Sequence, residues 1–335
     1  MRIAVIGAGA VGGTLAALLD RAGHDVEVTA RGENLAAIKA DGLRLDGGWG
    51  EHTARVEAHE TLAWIGAPAP DFAILATKAQ DAAIALRANR EVLGTAPLLV
   101  AQNGLGGLEV ARSVLPESPL LGGLALFAAS FLEPGLVTVT APLPLIIGAA
   151  PWTDPEVLDG IAEVLQGALP IEVTEDIVGA QWTKLLINHV NALPAITGLS
   201  VQQVIADPGL RKVMTASMRE TVRVARRLGI RFGKVQGVNG RVLGAIGSAP
   251  LAFGAWFPKT LGSRMGSVPN PGSTLQSIKR GQSTEIDFLN GAVVAAAKAG
   301  GVAAPINQQI VDLVHEVEGK GLFLTPDEVV RRVSL

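Results

Sequence analysis

The first twenty residues constrain this chain most, because they join a short apolar run to a glycine-rich turn. Arg2 to Ile6 leads into Gly7-Ala8-Gly9-Ala10-Val11-Gly12, and Gly13 and an apolar run to Leu19 follow. This order predicts a strand, a tight turn and a helix start, which together can seat a dinucleotide pyrophosphate on the helix N-terminus. Gly7 would let the chain turn, Gly9 would leave room for a phosphate, and Gly12 would let helix and strand pack closely.

The same stretch also resembles a secretory leader, since Arg2 is followed by an apolar run without acidic residues up to Asp20. The glycines at positions 7, 9, 12 and 13 would weaken the helix of a leader, whereas a phosphate turn requires three of them. A second strand, Asp25 to Arg31, then follows at the spacing of a βαβ unit. We therefore expect a dinucleotide-binding turn.

The end of the second strand indicates which cofactor is bound. Sites for NAD place an acidic residue there to bind the ribose 2′-hydroxyl, whereas an arginine accommodates the 2′-phosphate of NADP. This strand ends in Thr29-Ala30-Arg31, without an acid. We therefore expect NADP(H), with Arg31 at the 2′-phosphate, although Arg31 could also be an ordinary solvated surface charge.

Composition excludes several classes of protein. The net charge of −3 and the isoelectric point near 6.0 give no electrostatic reason to expect nucleic acid or an anionic membrane as a partner. The apolar run from Leu120 to Leu132 is too short to span a bilayer. Cysteine is absent, which excludes disulfides and thiolate chemistry and makes the cytoplasm the expected compartment.

Tyrosine is also absent, so the tyrosine proton donor of short-chain reductases is not available. Lysine, histidine or a carboxyl group must then protonate any carbonyl that is reduced. The five histidines lack metal-ligand spacing, so no metal is expected, and all but His189 are predicted to lie at the surface or at strand edges.

The pattern of strands and helices predicts an α/β fold, with a Rossmann-type doubly wound parallel sheet followed by an all-helical domain. Lys78 and Asn103 each come just after a buried strand, where ligands of such sheets bind. Residues 119–150 look extended, and a last strand at 170–174 puts the boundary near 175. The predicted domains are 1–174, which binds NADP, and 175–335, which holds the substrate. Helices are expected at 181–197, 211–228, 283–298 and 307–317, with a loop at 262–272.

Lys184 and Asn188 are four residues apart, so on a helix they lie one turn apart on one face. Together they can donate to a carbonyl oxygen and to a neighbouring hydroxyl or carboxylate. An isolated pair of this kind would usually face water. The apolar residues around Lys184, among them Trp182, Leu185 and Leu186, favour a lysine that lines a cleft.

Glu285 is a second candidate, in the segment Thr284-Glu285-Ile286-Asp287. A local explanation is a capping box formed by Thr284 and Asp287, with acids favoured in the first helical turn. Asp287 would satisfy that role by itself and leave Glu285 available to the cleft. Local sequence favours neither alternative.

These residues together resemble the ketopantoate reductase family over nearly the whole chain. The matching motifs are the first glycine turn, Thr77-Lys78, Gln102-Asn103-Gly104, the segment from Trp182 to Asn188, Ser273-Thr274-Leu275-Gln276, Thr284-Glu285-Ile286-Asp287 and Asn290-Gly291. The resemblance implies a Rossmann domain, a helical domain and an active site in the cleft between them.

The resemblance also implies roles for individual residues. Lys184 corresponds to the proton donor, Asn188 to a substrate ligand, and Ser273 to the serine at the substrate carboxylate. Glu285 corresponds to an acid that orders the site and the cofactor ribose. The implied cofactor contacts are Lys78, Asn103 and Ala129, in addition to the glycine turn; Asn103 can also meet the substrate.

The chain departs from the family in its substrate amides. Ala192 stands where other members have an asparagine, and the chain offers Asn191 one position earlier. A later substrate asparagine would fall near Gln202. On a continuous helix a shift of one position rotates a side chain by about 100°. Asn191 would then not simply replace the missing amide.

The expected activity is reduction of a 2-oxo acid by NADPH, with 2-dehydropantoate (ketopantoate) as the first choice of substrate. Alternatives are another branched 2-oxo acid, a β-hydroxyacid dehydrogenase, which also has a lysine four residues before an asparagine, and a non-catalytic NADPH sensor. The apolar helices of the second domain are compatible with a homodimer.

Overall fold

The computed structural model describes residues 1–64, 68–238, 240–248, 256–263 and 269–335. These residues form two compact units, Met1–Ile177 and Val178–Leu335. The first unit is α/β and the second is helical, as the alternation of apolar patterns predicts. Within these ranges, no helix combines the length and the hydropathy of a membrane-spanning segment.

The described residues of the first unit form twelve strands in two sheets. They are β1 (Arg2–Ile6), β2 (Asp25–Thr29), β3 (Leu43–Gly47), β4 (His52–Ala54), β5 (Glu57–His59), β6 (Phe72–Leu75), β7 (Leu98–Val100), β8 (Leu120–Ala125), β9 (Ala128–Glu133), β10 (Leu136–Ala141), β11 (Leu145–Ala149) and β12 (Ile171–Val173). The larger sheet has the order β12-β11-β8-β7-β6-β1-β2-β5. Its central strands, β1 and β6, are apolar runs that are buried on both faces, as parallel strands covered by helices must be.

This larger sheet is not wholly parallel, which differs from the prediction. Every pair of neighbours is parallel except β8 and β11, which run antiparallel. The chain leaves β8, forms the hairpin β9–β10 in the second sheet and returns without a crossover helix. A return of this kind enters the next strand in the opposite direction.

The second sheet, of order β4-β3-β10-β9, covers α1 (Ala10–Arg21). A Cβ atom on Gly13 would lie 2.9 Å from Val137 of β10, so the glycine allows close contact of helix and sheet. At the other end of α1, Asp20 accepts a 2.7 Å hydrogen bond from His52 of β4. The extended character of 119–150 was predicted, but the hairpin β3–β4 was not.

The remaining helices of the first unit are α2 (Gly32–Asp41), α3 (Ala82–Leu93), α4 (Gly107–Val114) and α5 (Glu156–Ala168). Leu15, Leu18 and Leu19 of α1 are fully buried in the core that these elements share. The core therefore holds α1 tightly against the sheet, with its N-terminus at the glycine turn.

The second unit contains ten helices within the described ranges. The first of them, α6, begins at Ile177, one residue before the start of the unit. They are α6 (Ile177–Asn188), α7 (Ala192–Thr197), α8 (Val201–Ala206), α9 (Pro208–Arg227), α10 (Gly240–Ser248), α11 (Trp256–Ser263), α12 (Gly272–Lys279), α13 (Asn290–Ala299), α14 (Pro305–Lys320) and α15 (Pro326–Arg332). Five apolar residues that recur at helical spacing around Lys184 are all buried; they are Trp182, Leu185, Leu186, Val190 and Leu193.

Three of the predicted boundaries are wrong. The helix expected over 181–197 is interrupted by a 3₁₀ turn, His189–Asn191. The helix expected from residue 283 begins only at Asn290, after a 3₁₀ turn at Ile286–Phe288. The expected loop 262–272 is helical at both ends, since Gly262 belongs to α11 and Gly272 begins α12; residues 264–268 lie outside the described part.

Candidate functional site

The glycine turn between β1 and α1 has the backbone conformation that a phosphate-binding turn needs. Gly7 has φ +101°, a left-handed value that favours glycine, and a Cβ there would lie 2.9 Å from the Thr77 backbone nitrogen. Gly9 is the N-cap of α1, and a Cβ there would meet no heavy atom of the described residues within 4 Å. The space over Gly9 is thus open, and the first turn of α1 has no acidic residue to compete with an anion.

Two side chains that sequence reasoning missed hold this turn in place. Thr29, at the end of β2, accepts a 2.9 Å hydrogen bond from the Gly7 N–H through its hydroxyl. Asn34 of α2 donates to the Ala8 carbonyl (2.9 Å) and accepts from the Gly135 N–H (2.8 Å). Asn34 therefore links the glycine turn to the β9–β10 hairpin, a contact that no local pattern could reveal.

Arg31 lies at the carboxyl end of β2, as the sequence suggests. It is the N-cap residue of α2 and its side chain is exposed. Neither Thr29 nor Ala30 has a carboxylate that could bind a ribose hydroxyl. The Thr29 hydroxyl is bound to the Gly7 N–H, and Ala30 is buried. A phosphate at this position would meet a guanidinium and no carboxylate from residues 29–31.

A glutamine orders the two loops that contain Lys78 and Asn103. Gln102, after β7, is buried and donates a 2.8 Å hydrogen bond to the Thr77 carbonyl after β6. Lys78 and Asn103 are the next residues on each loop, and both are partly buried. Ala129 is partly buried on β9, opposite Val139 of β10.

In the helical unit, Lys184 lies in the last turns of α6 with its side chain partly buried. Burial lowers the pKa of Lys184 from its usual 10.5 to about 8, and the charge of Glu285 acts in the opposite direction and raises it. Lys184 and Glu285 therefore interact, although Glu285 belongs to a distant segment of the chain. An ammonium with a pKa near 8 is charged at neutral pH and gives up its proton more readily than an ordinary lysine.

The Glu285 segment is bound to α14 on both sides of Glu285. The Thr284 N–H donates to a Glu318 oxygen at 2.7 Å, and His315 lies 2.9 Å from Asp287 and 2.7 Å from Glu318. Burial would lower the pKa of His315, but the hydrogen bonds to both carboxylates outweigh burial and raise it. The hypothesis of a capping box formed by Thr284 and Asp287 is therefore wrong. Asp287 is bonded to His315, and the segment is a 3₁₀ turn and not the first turn of an α-helix.

Three of the candidate substrate side chains lie on three elements of the helical unit, namely α6, the 3₁₀ turn after it and α12. Asn188 ends α6, and Asn191 ends the 3₁₀ turn that follows; both are partly buried. A Cβ on Gly272 would come within 2.7 Å of the Asn191 side-chain oxygen, so Asn191 lies against the start of α12. Ser273, the next residue of α12, is exposed.

The 3₁₀ turn changes the argument about Ala192. Because α6 ends at Asn188, the rotation of about 100° per residue of a continuous α-helix does not apply to Asn191. Ala192 is buried, with 2% of its surface exposed, whereas Asn191 is partly exposed. Gln202 has a structural contact, since it accepts a 2.9 Å hydrogen bond from the N–H of Asn270 in the loop before α12.

The histidines are distributed much as expected. His189 is buried, while His24, His52, His59 and His315 are partly or fully exposed. Among the described residues, no group of three or more His, Asp or Glu side chains is arranged to hold a metal ion.

Comparisons with known proteins cover both units. A family model described as ketopantoate reductase PanE/ApbA matches residues 3–152, and the model of its C-terminal region matches residues 176–318. The chain is 30% identical over 323 residues to 2-dehydropantoate 2-reductase of Pyrococcus horikoshii, covering 96% of this chain and 99% of that protein.

Solved structures agree with the family match. A PanE/ApbA family ketopantoate reductase from Ralstonia eutropha superposes with a TM-score of 0.80 at 28% identity, covering 96% of this chain and 99% of the other. D-mandelate dehydrogenase with NADH and anilino(oxo)acetate has the same fold, with a TM-score of 0.80 at 21% identity over 95% and 99% of the two chains. Because the family models match both its α/β half and its helical half, this chain belongs to the ketopantoate reductase family of NADP-dependent oxidoreductases.

Proposed function

We propose that this protein reduces the 2-oxo group of 2-dehydropantoate with NADPH, and that Lys184 protonates the carbonyl oxygen. The observation on which the donor assignment depends is the interaction of Lys184 with Glu285 in a partly buried setting. A lysine that is charged at neutral pH, but less firmly protonated than usual, suits a general acid. Glu285 supports this role by keeping the ammonium charged despite burial.

The glycine turn fits a dinucleotide. The open space over Gly9, the first turn of α1 without an acid and the exposed Arg31 at the end of β2 together suit a pyrophosphate and a 2′-phosphate. When bound, NADPH supplies the hydride that reduces the carbonyl carbon. Lys78 and Asn103, on loops ordered by Gln102, are the proposed further contacts of this chain with the cofactor, together with Ala129.

The residues of the helical unit would bind and polarise the substrate. Ser273 and Asn188 can donate hydrogen bonds to a carboxylate or a hydroxyl, and the Lys184 ammonium can donate to the 2-oxo oxygen. As negative charge develops on that oxygen, the proton of Lys184 moves to it and a 2-hydroxy acid results. General acid catalysis of this kind typically contributes about 10²- to 10⁴-fold in rate.

A second candidate substrate is another branched 2-oxo acid, and one observation favours it. Ala192 is small and buried where other family members have an asparagine, so this chain lacks one substrate amide at that point. Asn191 is partly exposed and is the amide that remains nearby. The fold is equally compatible with 2-dehydropantoate and with another branched 2-oxo acid, since it also occurs in D-mandelate dehydrogenase.

The test is a panel of 2-oxo acids, with the loss of NADPH absorbance as the measurement. We expect 2-dehydropantoate to have the highest kcat/KM, and the reverse assay with 3-hydroxy acids and NADP⁺ to be inactive. Lys184→Ala should lower kcat by about 10²-fold or more with little change in NADPH affinity. Lys298→Ala, which removes an exposed lysine of the same unit, is the matched control and should behave as wild type.

Three outcomes would contradict this assignment. A protein that binds NADPH tightly and reduces no 2-oxo acid would be a sensor and not a reductase. Preference for a 3-hydroxy acid would indicate a β-hydroxyacid dehydrogenase, and near-normal turnover of Lys184→Ala would exclude Lys184 as the donor. A cytoplasmic location and a homodimer remain part of the proposal, to be checked by fractionation and by the mass of the protein in solution.

A further inference from the structure

A buried polar cluster lies in the helical unit, next to the residues proposed for catalysis. We call it the His189 cluster; its members are His189, Ser217, Glu220, Thr221, Asn290 and Asn307, and each has 3% or less of its surface exposed. They come from the 3₁₀ turn after α6, from α9, and from the first turns of α13 and α14. Buried polar groups need partners, so the arrangement of this cluster is closely determined.

The hydrogen positions of the cluster follow from Glu220, its acidic member. The Glu220 carboxylate accepts from the backbone N–H groups of Ile306 and Asn307, and also from the Asn307 side-chain NH₂ at 2.8 Å. The Asn307 amide oxygen must therefore point the other way. There it accepts from the Asn290 side-chain NH₂ at 2.9 Å.

The same reasoning assigns the tautomer of His189. The Asn290 NH₂ group can only donate, and it lies 2.8 Å from His189 Nδ1, so Nδ1 must accept and has no proton. The ring proton is then on Nε2, which donates to the Thr221 hydroxyl at 2.8 Å. Burial lowers the pKa of His189 to about 3, so the ring is neutral at physiological pH.

The hydrogen bond between His189 and Asn290 joins the two segments of the proposed site. His189 directly follows Asn188, at the end of the helix that contains Lys184. Asn290 begins α13, directly after the segment that contains Glu285. The two bonded residues are 101 positions apart in the chain.

One feature of the cluster is unfavourable for stability. Within the described residues, the buried Asn290 side-chain oxygen has no hydrogen-bond partner, which costs free energy. Its NH₂ group, by contrast, is within 3.2 Å of three acceptors, namely His189 Nδ1, the Ser217 hydroxyl and the Asn307 oxygen. The orientation of the Asn290 amide thus allows its NH₂ group to donate to His189, while its oxygen stays without a partner among the described residues.

We propose that His189 is a positioning residue, which, through its hydrogen bond to Asn290, keeps Lys184 and Glu285 at a fixed separation. The attraction between an ammonium and a carboxylate depends on the distance between them and on how much water separates them. Loss of the link lets the end of α6 move away from the Glu285 segment. The Lys184 ammonium is then less stabilised. The expected loss of turnover rests on the proposed function, whereas the expected change in the protonation of Lys184 does not.

Four variants separate positioning from stability. His189→Leu removes both ring nitrogens at similar volume, and Asn290→Ala removes the donor from the other side of the bond. His189→Gln keeps an acceptor that can face Asn290. Thr221→Val is the matched control, because it removes a buried hydrogen bond of the same cluster and leaves the bond between His189 and Asn290 in place.

The first measurement is the pH at which Lys184 becomes half-reactive toward an acylating reagent, read by peptide mass spectrometry on the whole protein without cofactor. We expect the midpoint to fall by about half a pH unit or more in His189→Leu and Asn290→Ala. It should stay near the wild-type value in His189→Gln and Thr221→Val. All four variants are also compared by thermal unfolding, and should His189→Leu fail to fold, Asn290→Ala provides the test.

The second measurement is turnover. We expect kcat to fall about tenfold or more in His189→Leu and Asn290→Ala, with the KM for NADPH little changed, and His189→Gln to restore most of it. An unchanged labelling midpoint in both His189→Leu and Asn290→Ala overturns the inference. So does an equal change in Thr221→Val, or an upward shift, which would mean that Lys184 has gained water. The labelling experiment needs no turnover. Full activity of Lys184→Ala would therefore refute Lys184 as the proton donor, while the labelling midpoints would still decide whether His189 positions Lys184 and Glu285.

Discussion

Gly12 lies directly against the carbonyl oxygen of Gly7, where α1 leaves the glycine turn. A Cβ atom on Gly12 would overlap that oxygen and would also lie 2.9 Å from the Ala76 side chain. A Cβ on Gly9, three residues earlier, would meet nothing within 4 Å among the residues that the structure describes. The two positions therefore require glycine for different physical reasons. Gly12 allows α1 to pack against the turn, and Gly9 leaves open space above the helix N-terminus.

This difference predicts opposite outcomes for two alanine substitutions. Gly12→Ala must push α1 away from a backbone oxygen, and overpacking of this kind typically costs about 1–3 kcal/mol or more. Gly9→Ala should leave the thermal unfolding temperature within a few degrees of wild type and weaken NADPH binding. Thermal unfolding and a cofactor titration of both variants check this; equal Tm values for the two would contradict it.

The pH dependence of kcat/KM should report Lys184. Because the lysine must be protonated to act as the acid, activity should be retained below its pKa and lost as the pH rises through about 8. Glu285 raises this pKa, so Glu285→Gln should move the alkaline limb to lower pH. A pH–rate profile for wild type and Glu285→Gln is the measurement. A limb that stays in place in the variant would show that Glu285 does not act on the titrating group.

Cofactor preference should depend on Arg31. A charge-assisted hydrogen bond to the 2′-phosphate contributes about 1.5–3 kcal/mol, which corresponds to roughly 10- to 150-fold in affinity. Arg31→Ala should therefore weaken NADPH by that factor and leave NADH unchanged. Dissociation constants for both cofactors, measured by fluorescence titration, test this. Equal affinity of the wild-type protein for NADH and NADPH would refute the assignment.

Positions 191 and 192 should respond differently to substitution. Asn191 is partly exposed beside Gly272, so Asn191→Ala should raise the KM for the 2-oxo acid several-fold with little loss of stability. Ala192 is buried, so Ala192→Asn should lower stability by about 1–3 kcal/mol, because a buried amide would lack partners. Steady-state kinetics and thermal unfolding of the two variants decide the matter. A stable Ala192→Asn variant with a lower KM would show that the position still accepts the family amide.

The fold class, the glycine turn and the helix that contains Lys184 and Asn188 could be predicted because their signals are local. The positive φ of Gly7 requires glycine at the turn, and the apolar runs of β1 and β6 match the buried positions of a sheet. Lys184 and Asn188 share a face because four residues make about one helical turn. None of these inferences needed to know which distant segments meet.

The errors occurred where a distant partner overrode the local pattern. The helix expected over 181–197 is broken at His189, whose ring bonds to side chains of α9 and α13 and not to its neighbours in sequence. The local pattern allowed Asp287 to cap a helix, but in the fold Asp287 is instead hydrogen-bonded to His315 of α14 at 2.9 Å.

The sequence by itself determined the glycine turn, the basic residue at the end of β2, and the spacing of lysine and asparagine on α6, since each depends on residues a few positions apart. Only the tertiary structure decided that β3 pairs with β10, that Asn34 holds the turn, and that Glu285 acts on Lys184. Those relationships join segments that are far apart in the chain. They are selected by burial and hydrogen bonding of the whole fold, which no local pattern records.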